Sequence, residues 1–309
     1  MRQFRRIAAG VLWSAAACAE STGGDAIQTR PSDAAVDETA GTHVRFEPGQ
    51  QGAALDFGAI PWPDDLYLNQ QGKISLGSLP AGTNNSDYMR SLRETLPELD
   101  GFGVATPVYF YLDGGSIDEN SLPQTAEESE GSRASVFLID ADSASPDAFR
   151  RVRVEIQWSE KLRRLALRPA LGHPLTPGRR YAAVVTRRVK DRKGRPLAPE
   201  LKFAAVRDGT SLTDPRLLQA RAEYTPVLET LVKPQTPSQT AREDVVAMAV
   251  FRVQSANADL QAARQIVRAR SAPVPTGLLM IEGTLLDAAL GKPELATAAP
   301  HDQLAAIIH

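Results

Sequence analysis

The sequence predicts a mainly-β chain, an antiparallel β-sandwich with two helices packed beside it. Three observations carry that reading. Val152, Val154, Ile156 and Trp158 alternate with Arg151, Arg153, Glu155 and Gln157, the period of a sheet with one wet face. Leu175 to Leu197 holds a second alternating run, from Tyr181 to Thr186, between the turn signals Thr176-Pro177-Gly178 and Asp191-Arg192-Lys193-Gly194. After Arg207 the apolar period lengthens to that of a helix. Short strands divided by turns argue for a sandwich over a βαβ sheet.

Residues 1–18 read as an export signal. Arg2, Arg5 and Arg6 form a positive start, and Ile7 to Ala17 is apolar but too short to span a bilayer. Ala15-Ala16-Ala17-Cys18 resembles a lipobox, with Ala15 where a leucine is usual. Cys18 is thereby the candidate lipid-attachment residue; the alternative is ordinary cleavage after the A-x-A site Ala17-Cys18-Ala19. It is the one cysteine of the chain, so no internal disulfide can form. A diacylated Cys18 makes the lipid bilayer a partner and places the protein outside the cytoplasm, at the outer membrane or cell surface. Residues 19–43 are rich in Ser, Thr, Gly, Asp and Ala and read as a flexible tether.

Residues 44–207 carry the strand signals. Ile60-Pro61-Trp62-Pro63 is extended, because the residue before a proline is driven to β geometry. Asp64 and Asp65 read as a turn or cap, since no third carboxylate stands at calcium-loop spacing. Asn84 to Leu96 is a short helix. Val104 to Leu112 and Ser135 to Asp140 are strands, and Ser159-Glu160-Lys161 turns the Trp158 strand back into Leu165 and Leu167. Asp113 to Asn120 fails the EF-hand pattern and reads as a turn. The run after Tyr181 should enter a hairpin closed by Asp191 to Gly194, with Pro196 marking an edge.

Residues 208–272 read as helix, strand, helix completing the sandwich. Thr213-Asp214-Pro215 opens the first helix, whose inner face is Leu217, Ala220, Tyr224, Val227, Leu228 and Leu231, with a kink at Pro226. Val245 to Val253 is a buried strand. Asn257 caps the last helix, with Leu260, Ala263 and Val267 inward. Residues 273–309 read as a connector.

The net charge is only −2, which argues against binding polyanions, nucleic acid included, by overall charge. The charge is nevertheless divided. Arg150 to Arg195 holds fifteen Lys or Arg against three acidic residues, a net of +12, whereas Asp113 to Asp147 is at −8. Either the two stretches face each other, or the strand arginines form a basic face for anionic lipid or polysaccharide. The candidates for that face are Arg151, Arg153, Arg163, Arg187 and Arg188.

Little else points to chemistry. There is no Gly-x-Ser-x-Gly elbow, no histidine pair at metal spacing and no phosphate-cradling glycine loop. His173, between Gly172 and Pro174, reads as a surface loop residue. The expectation is a non-catalytic module with no metal and no cofactor.

A resemblance sharpens this. Leu175 to Leu197 looks like the penultimate hairpin of bacterial Ig-like surface domains. Ile60-Pro-Trp-Pro-Asp-Asp-Leu66 and Leu99-Asp-Gly-Phe-Gly-Val-Ala-Thr-Pro-Val108 are similar to the opening of the N-terminal domain of bacterial virulence-factor-type extracellular lipases. The first run departs in Trp62 and Asp64, the second in Gly103 and Val104. The resemblance covers roughly residues 55 to 270. It implies an Ig-like sandwich, and a following α/β-hydrolase domain that would begin after His309.

Overall fold

The structure, a computed structural model, describes residues 41–49, 53–77 and 87–270. Cys18, the lipobox-like run, most of the 19–43 tether and the 273–309 connector lie outside them. The chain divides into two units, Met1–Ala258 and Asp259–His309. Among the described residues eight strands build the first: β1 (His43–Val44), β2 (Val108–Asp113), β3 (Val136–Asp140), β4 (Arg151–Val152), β5 (Val154–Ser159), β6 (Arg164–Pro169), β7 (Arg180–Thr186) and β8 (Val245–Arg252). They form two four-stranded sheets in the orders β1-β2-β6-β5 and β4-β3-β7-β8, and each neighbouring pair is antiparallel. Helix occupies about as much of the chain as strand.

The alternating run from Arg151 to Trp158 is two strands rather than one. β4 pairs with β3, Ile139 opposite Arg151, whereas β5 pairs with β6 in the other sheet, Trp158 opposite Leu165. The chain changes sheets at Arg153. The Val154 amide just beyond that corner is met by the buried Ser129 hydroxyl at 3.0 Å, so the switch leaves no orphan donor there. β5 and β6 form the expected hairpin, and Arg163 takes up a φ of 46° as the chain re-enters the sheet.

β7 corrects the expected hairpin. Its partners are β3 and β8, so it is a central strand and not one arm of a hairpin at an edge. Every residue from Tyr181 to Thr186 is buried. Alternation in residue size therefore did not mark a wet face, and the small Ala182 and Ala183 are what cover on both sides admits. The Asp191 to Gly194 turn closes separately, through the Lys190–Pro196 bridge and the Asp191 amide to the Arg195 carbonyl at 2.8 Å.

His43 and its neighbours also differ from expectation. His43 belongs to β1, opposite Asp113, and Thr42 is buried, so these two residues are part of the fold and not of the expected tether. The short predicted helix forms as α1 (Asp87–Thr95). Thr125 caps a five-residue α2 (Ala126–Glu130) that the sequence reading missed, accepting the Glu128 amide at 3.2 Å. The end of the stretch expected to carry the strands, which had no element assigned to it, forms α3 (Leu201–Asp208), between the Glu200 cap and left-handed Gly209. α4 (Pro215–Leu231) opens on the Asp214 side chain with proline in its first turn and runs through Pro226. The apolar face predicted for it is buried, with Arg216 added. α5 (Ala258–Ala269) forms where predicted, but it falls largely in the second unit, and Leu260, Ala263 and Val267 are exposed rather than inward.

Candidate functional site

Three sequence-distant runs meet along one seam of the first unit. Trp62, fully buried, packs its ring 5.0 Å from Phe102 and 4.9 Å from Tyr67. Its backbone bridges Tyr109. Phe102 donates its amide to the Arg252 carbonyl at 2.9 Å and accepts from Gln254 at 2.8 Å. Gly101 is what permits that approach, because a Cβ there would lie 2.7 Å from the Arg252 oxygen. The third run closes on the same place. The Leu175 amide donates to Val104 at 2.8 Å and Gly178, at φ 76°, to Val253 at 3.1 Å.

Asp64 and Asp65 finish the seam. β8 is the last strand of its sheet, so alternate amides on its outer side have no strand partner. The Asp64 carboxylate accepts the Val250 amide at 3.0 Å and the Asp65 carboxylate the Arg252 amide at 2.8 Å. The dipeptide thus does with side chains what a ninth strand would do with carbonyls. Asp64 also caps a 3-10 turn through the Leu66 amide at 2.9 Å, as a cap reading requires, and accepts the Tyr224 hydroxyl at 2.7 Å. Asp65 lies 3.4 Å from Arg180, which also reaches Glu223. Arg216 ties the neighbouring loops together, donating to the carbonyls of Pro48 at 3.0 Å and Leu66 at 2.7 Å.

Burial dominates the acidity here. It pushes the Asp64 carboxyl up to about 8 against the three hydrogen bonds that favour its charged form, with the Asp65 charge adding to the rise. Burial also raises Asp65, to about 6, while Arg180 and the Arg252 amide pull the other way. The Arg216 guanidinium is lowered by burial, an effect that nearby Asp64 opposes. Each of these groups is tied to the backbone of the fold by at least one hydrogen bond. No group of three or more His, Cys, Asp or Glu arranged for a metal occurs among the described residues. His173 is exposed in its loop, as expected.

The candidate basic residues do not share one face. Arg163 belongs to the β5–β6 turn and donates to the carbonyls of Leu112 at 3.3 Å and Gly115 at 2.6 Å. Arg153, at the sheet corner, pairs with Glu127 at 3.2 Å and Glu130 at 2.8 Å of α2. With Arg179 and Asp140 at 3.0 Å, these are contacts between the basic and acidic stretches of the sequence. Arg187 is exposed at the end of β7. Only Arg151 and Arg188 converge, both on the Ser132 carbonyl, at 3.5 and 3.1 Å. Nothing in the spacing of these two residues, or of Tyr224 and Arg216, foretold the partners they find.

No family model matches the chain, and no curated protein matches it. Two solved structures of a surface-layer protein are similar over a small part: SbsC domains 1–6 and rSbsC(31-844). Each is 13% identical, with a TM-score of 0.21, over 30% of this chain and 11% of theirs. At that TM-score the likeness carries no argument.

Proposed function

We propose that the first unit is a non-catalytic, Ig-like module of an exported lipoprotein, held to the membrane through Cys18 and standing ahead of a lipase- or esterase-type hydrolase domain. Its role is to hold that domain off the bilayer. The observation that supports this is the seam. The runs at 60–66 and 99–108 carry the resemblance to the lipase N-terminal domain and that at 175–197 the resemblance to Ig-like surface domains, and they are far apart in sequence. They are nonetheless joined by the Trp62–Phe102 ring contact and the Leu175–Val104 hydrogen bond. The commitment of Asp64 and Asp65 to β8 favours a scaffold role for them over a catalytic one.

The test is the mass of the protein in its own cells, detected with an antibody raised against residues 41–270, together with ester hydrolysis by the captured material. A band well above the 33.3 kDa of this sequence, with turnover of a short-chain p-nitrophenyl ester, is the expected result. A band at the mass of this sequence less its signal, with no turnover, overturns the hydrolase reading. Labelled palmitate incorporated by the natural protein and lost in Cys18→Ser tests the anchor.

A further inference from the structure

We propose that Arg151 and Arg188 together hold one phosphate-type oxyanion at the surface beside residues 131–132. Arg188 donates to the Ser132 carbonyl at 3.1 Å. Arg151 reaches the same oxygen at 3.5 Å and also donates to the Gly131 carbonyl. These acceptors are neutral. Two formal positive charges are therefore gathered on one carbonyl with nothing to neutralise them.

Arg163 and Arg216 also donate to neutral acceptors, but each has its acceptors to itself, and other arginines of the first unit meet carboxylates. Arg45 meets Asp113, Arg153 meets Glu127 and Glu130, Arg179 meets Asp140, and Arg195 meets Asp191. No carboxylate among the described residues pairs with Arg151 or Arg188. The Arg151 side chain is also held in place. Its guanidinium carbon lies 3.9 Å from the centre of the Phe137 ring, a cation–π contact that restrains it. Its Nε is buried without an acceptor. Burial, and then the Arg188 charge, push the Arg151 guanidinium down to about 10.

The fork of donors on a guanidinium matches two oxygens of a tetrahedral oxyanion, and two such groups can clamp one phosphate from two sides. A carboxylate offers only two oxygens in one plane, which favours phosphate as the ligand class. The inference narrows the basic surface read from the sequence to two of its five residues. It is independent of the hydrolase reading, since a chain with or without a hydrolase domain would bind phosphate alike.

Inorganic phosphate titrated calorimetrically into the full chain tests it. Saturable binding that weakens as sodium chloride is raised is expected. Arg188→Ala, at an exposed position, should weaken it by about tenfold, and Arg151→Lys should do so while keeping the charge. Arg192→Ala, which removes an equal charge from the Glu160 pair, should leave it unchanged. Absence of saturable binding overturns the proposal, as does an Arg192→Ala loss equal to that of Arg188→Ala. Vesicles of phosphatidylglycerol and phosphatidylcholine identify the source. Retention released by phosphate and absent in Arg188→Ala assigns a lipid headgroup, whereas phosphate binding without retention assigns the free ion.

Discussion

Asp64-Asp65 and Asp113 to Asp118 are both acidic turns in the sequence, and they do opposite things in the fold. Asp113 is half-exposed and grips Arg45 through two hydrogen bonds, at 2.7 and 2.9 Å. Asp118 caps a 3-10 turn through the Asn120 amide at 3.1 Å. Water remains available to both. Asp64 caps a similar turn, but this one is covered by α4 and β8, so the spare oxygens of Asp64 and Asp65 are spent on Tyr224, Val250 and Arg252. The local chemistry of the two turns is alike. What differs is what packs over them, and this decides whether a carboxylate is a surface contact or a structural joint.

The contrast is broken most directly by truncation. Asp64→Ala leaves the Leu66, Tyr224 and Val250 donors buried and unmet, and should cost about 3–5 kcal/mol in chemical denaturation. A loss no greater than that of Asp113→Ala would show the two turns to be equivalent. Gly101→Ala should cost about 1–3 kcal/mol, because the atoms its Cβ meets are backbone atoms of Arg252 and Gln254 that cannot swing aside.

The pH dependence separates the turns by sign. Asp64 and Asp65 are raised above the ordinary value of 3.8, so the folded protein holds their protons more tightly than the unfolded chain does. Their contribution is complete below 3.8 and is lost as pH rises through about 6 for Asp65 and about 8 for Asp64. Asp113 is held down, first by the Arg45 hydrogen bond, so its contribution is present above 3.8 and lost in acid. Denaturation midpoints should therefore fall between about pH 5 and about pH 9, and Asp64→Asn should flatten that slope. An unchanged slope would remove Asp64 as its source. The smallest effect is expected from Asp113→Ala, under about 1 kcal/mol, since its partner is a half-exposed arginine.

Much of the fold was legible, and the failures have causes. The β5–β6 hairpin and the inner face of α4 were readable because each has one dominant period, and β8 because its apolar run is short and unbroken. β7 misled because a strand covered on both sides still alternates in residue size. The corner at Arg153 left no mark, since changing sheets does not interrupt a period of two. α3 is short, and its two signals, Glu200 and Gly209, lie among residues that also suit a loop. At the seam, Asp64 was readable as a cap from its turn, but the Tyr224 hydroxyl 160 positions away was not. The same holds for Arg151 and Arg188, whose shared acceptor is a backbone carbonyl and carries no signature in the sequence.

The closure of β8 bears on how such a protein tolerates crowding. Eight residues, seven of them buried, lie at the rim of a sheet, and an apolar rim of that length is a template for the strand of a neighbouring molecule. By occupying the Val250 and Arg252 amides, Asp64 and Asp65 withhold two of the hydrogen bonds that such docking needs, and they place carboxyl groups where an incoming backbone would have to pass. Many copies packed side by side could then stay separate molecules instead of growing into a fibre.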